Sequence, residues 1–181
     1  VEYNGVLTDI NIPSKYRGKE VNCIAETVFK DNTQITSIVI PTTVKDISNG
    51  LLSGCSNLTS ISMPYLAGDY LGYIFGGTSY NNNSSNIPVK LTNVNLLGGD
   101  KIAANAFYNC SGLSTIVISS STTSIDASAF VGCINVKSIT VDENNAVYKS
   151  IDGNLYSKDG KTLMQYALGK TNNSFTIPTD V

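Results

Sequence analysis

The sequence contains no histidine and no tryptophan. Without histidine the side chain most used as a general base and metal ligand near neutral pH is missing. Serine triads, Cys–His dyads and zinc-protease motifs are thereby excluded together. Charge is scarce too: Asp, Glu, Lys and Arg supply 14% of the 181 residues, against about 25% in ordinary soluble chains. A formal net charge of −2 leaves no basic footprint for nucleic acid. No run approaches the roughly 20 apolar residues of a membrane-spanning helix, so no membrane insertion is expected of this stretch. The cysteines Cys23, Cys55, Cys110 and Cys133 form no C-x-x-C pair, and zinc has little support. Ser, Thr, Asn and Gly fill the deficit, residues that favour turns and strand faces over long helices.

What is present is a repeat. Phe29, Leu52 and Phe75 lie 23 residues apart, as do Phe107 and Phe130. Ile24, Ile47 and Tyr70 keep the same spacing five residues earlier, and so do Ile102 and Ile125. After each comes an apolar triplet of spacing 3 then 2: Ile35/Ile38/Ile40, Leu58/Ile61/Met63, Leu91/Val94/Leu96, Leu113/Ile116/Ile118 and Val136/Ile139/Val141. Leu7/Ile10/Ile12 repeats the triplet at the start. The last two members alternate, so they share one face of a short strand. Pro13, Pro41 and Pro64 follow that strand, where no ladder donor is needed. One such unit cannot bury its own stripe, whereas stacked units place each apolar side chain on its counterpart roughly 4.8 Å away. The expected fold is a solenoid, right-handed and α/β to mainly β. Short parallel strands stack at the 23-residue period, with helical turns around Leu52 (47–54) and Phe107 (102–110).

The boundaries follow from the period. Residues 1–23 are the end of a preceding repeat and a linker. Repeats occupy 24–46, 47–69, 70–101, 102–124 and 125–147. The surplus in the third is Thr78 to Ile87, TSYNNNSSNI, expected as a polar loop without periodicity. A smaller surplus, Ser14 to Asn22, lengthens the first turn. Residues 148–174 break the pattern: Asp152-Gly153 and Asp159-Gly160 are turn signals between apolar alternations, read as a β-hairpin insertion. Residues 175–181 then start the next repeat. The chain opens in a Glu2-Tyr3-Asn4-Gly5 turn and stops just after Ile177-Pro178. It is expected to be a piece of a longer protein whose targeting signals lie elsewhere.

IPTTVKDISNGLLSGCSNLTSISMP (40–64) and IAANAFYNCSGLSTIVI (102–118) resemble the repeat of the BspA-like leucine-rich-repeat proteins. YKSIDGNLYSKDGKTLMQYALGK (148–170) resembles a segment that recurs between their repeats. The likeness covers most of the chain, with departures at the 78–87 insertion, at Leu52 where Phe is usual, and at Asn32 where Cys is usual. The resemblance implies a leucine-rich-repeat solenoid in a secreted or surface-anchored bacterial protein. It also implies roles in adhesion to host matrix proteins or to other cells.

Several groups bear on chemistry. Cys55, Cys110 and Cys133 share one repeat position, which suits a metal site, a disulfide between adjacent repeats, or a buried ladder of thiols. Parallel side-chain vectors disfavour the disulfide, and the ladder carries the greater weight. Gly160-Lys161-Thr162 lacks the upstream glycine of a phosphate loop, since Leu155 stands there. Asp142-Glu143-Asn144-Asn145 is oxygen-rich but lacks the glycine and distal glutamate of a calcium loop. Asn57, Asn82 and Asn109 head glycosylation triplets of a kind that arises by chance in an Asn/Ser-rich chain. No catalytic, cofactor or metal residue is assigned.

Partner contacts are expected on two surfaces. One is the open strand face: Ser37/Val39, Ser60/Ser62, Asn93/Asn95, Thr115/Val117 and Ser138/Thr140. The other is the insertion and its surroundings, where Tyr65 and Tyr80, with Asn82 and Asn83, supply contact area and amides. Tyr70 and Tyr73 fit the core equally well. The expected function is a non-catalytic binding scaffold for host matrix or cell-surface proteins, or for surface glycans. The alternative is a stalk that spaces other domains, and a carbohydrate-active enzyme is third because no carboxylate pair stands out.

Overall fold

A computed structural model describes residues 7–171, 174–177 and 181. The Glu2–Gly5 turn and Pro178 lie outside the described residues. Strand β1 (Asp9–Asn11) is followed by β2 (Lys15–Tyr16) and β3 (Lys19–Glu20), then β4 (Ser37–Val39) and β5 (Ser60–Met63). Next come helix α1 (Asn83–Asn86), β6 (Asn93–Leu96), β7 (Lys101–Ile102), β8 (Thr115–Ile118), β9 (Ser124–Ile125) and β10 (Ser138–Val141). The chain continues through β11 (Tyr148–Ile151), β12 (Asn154–Ser157) and β13 (Leu163–Gln165).

The triplets become a six-stranded parallel sheet in the order β1-β4-β5-β6-β8-β10. Ile10, Ile38, Ile61, Val94, Ile116 and Ile139 stand in one register row. None of the six is more than 8% exposed. A parallel sheet normally hides both faces, but here alternation buries one and leaves the other open, because stacking along the array covers only the inner stripe. At the entry to each strand one carbonyl accepts two successive N–H donors from the next repeat. Thr36 and Ser37 donate to Thr8, Ser60 and Thr59 to Thr36, and Thr115 and Ser114 to Thr92. The Thr59 and Thr92 hydroxyls bond the preceding repeat's carbonyl as well. Threonine suits this place because its hydroxyl adds a further donor to the carbonyl that already links the two repeats.

A second parallel row, β7 on β9 with the isolated bridge Cys23 to Asp46, runs across the adjoining side. Opposite the sheet, Phe29, Leu52, Phe75, Phe107 and Phe130 fill the core. Phe107 and Phe130 stack 5.5 Å apart. The expected helical turns around Leu52 and Phe107 are single turns closed by bonds between residues three apart, Ser53 to Gly50 and Cys55 to Leu52, Ala106 to Ala103 and Cys110 to Phe107. After the buried ring position the chain turns left-handed at equivalent places in four repeats: Asp31, Gly54, Asn109 and Gly132 all have positive φ. A side chain on every one of them would collide, since a Cβ on Gly54 overlaps the Asp31 carboxylate and one on Gly132 overlaps the Asn109 amide. Alternating a short polar residue with glycine resolves the clash.

Three segments are more ordered than the sequence suggested. Ser14–Asn22 is a hairpin, β2 against β3, closed by Arg17 and Gly18 at φ 50° and 77°. Positive φ at both central residues matches the strand twist; arginine in the first of these places hid the signal. The 78–87 surplus is not an irregular loop. It winds into a 3₁₀ turn, Tyr80–Asn82, and α1, opened by a reciprocal Ser79–Asn82 capping box. Residues 148–174 contain the expected hairpin, β11 against β12, extended by β13 into a three-stranded antiparallel unit. It closes the last edge of the sheet: Ile139 donates to the Gly153 carbonyl at 2.8 Å, and Ser150 Oγ bridges Val141 N and Ile139 O. Residues 174–177 form no strand, and Phe175 and Ile177 are exposed.

Candidate functional site

The open sheet face carries two side chains per strand in one-to-one register. The first row runs Asp9, Ser37, Ser60, Asn93, Thr115 and Ser138; the second runs Asn11, Val39, Ser62, Asn95, Val117 and Thr140. Six strands at roughly 4.8 Å give a face about 24 Å long. Asp9 and Asn11, absent from the expected contact set, extend it by one strand, since the Leu7/Ile10/Ile12 triplet is a full strand of the sheet. Asp9 is the single charge in the two rows. Ser37 Oγ donates to its carboxylate at 2.6 Å, and this bond, with weaker ones from Thr36 and Thr8, holds its pKa below the usual aspartate range. Elsewhere on the face the hydroxyls and amides bond one another loosely, Asn95 to Ser62 at 3.4 Å and Ser138 with Thr140 at 3.2 Å. They remain free to exchange these contacts for a partner's.

The second expected surface divides. Tyr80 is 37% exposed and meets Tyr108 edge to face at 5.5 Å. Tyr65 is half-buried, its hydroxyl donating to the Lys45 carbonyl at 2.7 Å. Asn82 accepts from Thr78 and Ser79 and holds the insertion's first turn. Asn83 corrects the expectation that it faces a partner, for it is fully buried. Its Oδ1 accepts from Gly72 N at 2.7 Å and its Nδ2 donates to the Ala106 carbonyl. An amide supplies both a donor and an acceptor, so this side chain pins the insertion between two repeats. Asn145 plays a like part in the Asp142–Asn145 turn, fully buried with its Nδ2 on the Ser119 and Thr122 carbonyls. A lone polar residue inside a polar run cannot be told from its solvated neighbours by sequence alone. Tyr70 donates its hydroxyl to Gly77 O and packs edge-on against Tyr73.

The cysteines occupy the core turn. Cys55 Sγ lies 3.0 Å from the Phe29 carbonyl and Cys133 Sγ 3.1 Å from that of Phe107, each one repeat back. Burial pushes the Cys55 thiol up to about 11 and Cys133 to about 12, and raises Cys110 as well. All four cysteines are free thiols, and Cys23 is exposed. Because the thiolate is the nucleophile, native protein at pH 8 should take up one alkyl group with iodoacetamide, on Cys23, and four after unfolding. Intact-mass measurement checks this; several labels on native protein would show that the thiol ladder opens.

Asp126 and Asp159 are both displaced downward, first by the side-chain hydroxyls of Ser128 and Ser157. A general acid needs displacement the other way, and these carboxylates serve as turn acceptors. Among the described residues no group of three or more His, Cys, Asp and Glu side chains could hold a metal ion. No helix of the described residues is long and apolar enough to cross a membrane.

The family model for the BspA type leucine rich repeat region matches in six copies, over residues 3–98 and 100–175. Similar solved structures include a leucine-rich repeat protein of Eubacterium ventriosum, 20% identical with a TM-score of 0.46 over 96% of this chain and 48% of that one. The pneumococcal vaccine antigen PcpA is 19% identical with a TM-score of 0.45, over 99% of this chain and 52% of the antigen. A leucine rich cell surface protein of Faecalibacterium prausnitzii is 21% identical with a TM-score of 0.40, over 100% of this chain and 60% of that one. The chain thus spans about half the length of the first two. No curated protein matches it.

Proposed function

The chain belongs to the BspA-type leucine-rich-repeat family, and from that we propose that it is a stretch of a bacterial adhesin, secreted or displayed at the cell surface, that binds host matrix proteins, other cells or surface glycans without catalysis. The observation that carries the reading is the open sheet face: six strands in register present a continuous, nearly uncharged field of hydroxyls and amides. Such a field suits partners that themselves offer many weak hydrogen-bonding groups. Repeat arrays characteristically use an extended face in this way. Tyr80, beside the insertion, adds a rigid aromatic contact at low entropic cost.

The test is binding of the immobilised chain to a panel of matrix proteins and surface glycans. Two variants accompany it: Asn93→Ala/Asn95→Ala/Thr115→Ala on the face, and Tyr80→Ala at the insertion. Excising 78–87 would be uninformative, because it removes the buried Asn83 bracket. Saturable binding that weakens about tenfold or more in the face variant, as for residues that anchor an interface, is the expected result. Loss confined to Tyr80→Ala would move the contact to the insertion. If parent and variants alike bind nothing on the panel, the adhesin reading fails and the stalk reading takes its place.

A further inference from the structure

The β2–β3 hairpin differs in charge from both surfaces, and the groove at its base shares Asn11 and Val39 with the sheet face. Lys15, Arg17 and Lys19 fall within five residues, in a chain that has 12 basic residues and a net charge of −2. Cross-strand pairing sorts them. Lys15 stands opposite Glu20 and Tyr16 opposite Lys19, so one side of the ribbon is balanced and the other is not. On the unbalanced side Tyr16 is 58% exposed, and the Arg17 guanidinium sits 5.2 Å from its ring centre. The result is a flat aromatic–guanidinium plate with a lysine beside it.

The ribbon is held out stiffly. Val21 donates to Ser14 O at 2.9 Å, and Thr43 from the next repeat places its hydroxyl 2.7 Å from the Val21 carbonyl. At its base lies an open groove of about 630 Å³, lined by Ile12, Pro13, Pro41, Thr42 and Leu97, with Lys15 on the rim. Lys45 adds a further ammonium, 3.0 Å from the carbonyl of the groove residue Thr42. Lys15, on the Glu20 side, thus faces the groove, while Tyr16 and Lys19 lie on the other side of the ribbon with Arg17 at its tip.

We propose that this hairpin and groove form a binding site for a sulfated polysaccharide. A polymer of this kind alternates sugar rings, whose C–H faces lie against tyrosine and proline, with anions that are charged at every working pH. The weakly hydrated, forked guanidinium of Arg17 matches an oxyanion held against an apolar plate. Charges on both ribbon strands and at the tip, with no enclosed pocket, suit a repeating polyanion rather than one small ion. An acidic polypeptide supplies charge without ring faces at this spacing, so the polysaccharide is favoured. The site works whether or not the sheet face binds a partner.

The experiment uses the intact chain and immobilised dextran sulfate, with unsulfated dextran as the neutral arm. Polyglutamate and a single-stranded oligonucleotide of matched charge serve as competitors. The variant is Lys15→Gln/Arg17→Asn/Lys19→Gln, in which asparagine tolerates the left-handed turn that Arg17 occupies; circular dichroism confirms its fold. The parent should bind dextran sulfate and not dextran, with affinity falling as salt rises. The variant should bind at least about tenfold more weakly, a loss of roughly 1.4 kcal/mol, and Tyr16→Ala should weaken binding in high salt, where stacking carries more of it. Equal binding by parent and variant overturns the proposal, as does absence of binding by the parent. Equal competition by polyglutamate or by the oligonucleotide overturns it in favour of an acidic protein or a nucleic acid.

Discussion

Replacing Phe107 with alanine should cost about 3–5 kcal/mol of stability, the range for removing a buried aromatic from a close-packed core. Phe107 is fully buried and stacked on Phe130. Its own backbone is tied forward by a 2.8 Å bond from its N–H to Ala129 O, and its carbonyl lies 3.1 Å from the Cys133 thiol. The turn is therefore pinned to the next repeat and has little freedom to close over the void, which places the cost high in the range. Domains of this size are stable by only about 5–15 kcal/mol, so the loss is a large share of the whole. In a repeat array it falls on one unit and its interface with the next. Hydrogen exchange should accordingly speed up over 102–147 more than over 37–63. Urea denaturation of F107A, F130A and the double variant measures the coupling, expected near 1 kcal/mol for a ring pair. Additive single losses would show that the two rings pack independently.

The period of 23 made the array legible because it is built from large apolar residues, and a buried stripe tolerates few substitutions. Ile38 and Ile61, like Ile116 and Ile139, lie one period apart, Val94 is placed by its Leu91/Val94/Leu96 triplet, and the sheet stacks all five in that alignment. The open face was readable for the same reason: residues alternating with a buried row must point the other way. What escaped was polar and local. Arg17 in a left-handed turn and the Ser79–Asn82 capping box use residue types that serve equally in plain loops, and the buried amides of Asn83 and Asn145 donate to carbonyls of a neighbouring repeat, at Ala106, Ser119 and Thr122. The sequence shows only that such residues are polar; their partners lie 11 or more positions away.

The same contrast explains why the third repeat can carry nine extra residues without breaking the sheet. Strand β6 pairs with β5 across the insertion in the ordinary register. The added chain bonds within itself and, through Asn83 and Asn86, to the backbone of Gly72, Phe75 and Ala106, outside the sheet strands. An insertion of this kind alters the outer surface while the inner stripe is preserved, and it places Tyr80 against Tyr108 of the following repeat.

Ending the chain at Ala146 should do more damage than any of these substitutions. The β11-β12-β13 unit buries Tyr148, Leu155, Tyr156 and Ala167. Its three large side chains are together worth about 5–9 kcal/mol at roughly 1.5–3 each, an upper estimate because the unfolded chain is not fully extended. The truncation also strips β10 of its covering. Ile139 N loses the Gly153 carbonyl, and Val141 N loses the Ser150 hydroxyl. A parallel edge of that kind, beside apolar residues uncovered by the same cut, is a template for pairing with another chain. Two measurements separate the effects. Tyr156→Ala in the full chain removes core but leaves the edge covered. It should lower stability by about 3–5 kcal/mol and still elute as a monomer in size-exclusion chromatography. The truncation should be destabilised further and elute as oligomers or aggregate. A truncated chain that stays monomeric and melts with the parent would show that the terminal unit neither caps the array nor supports it.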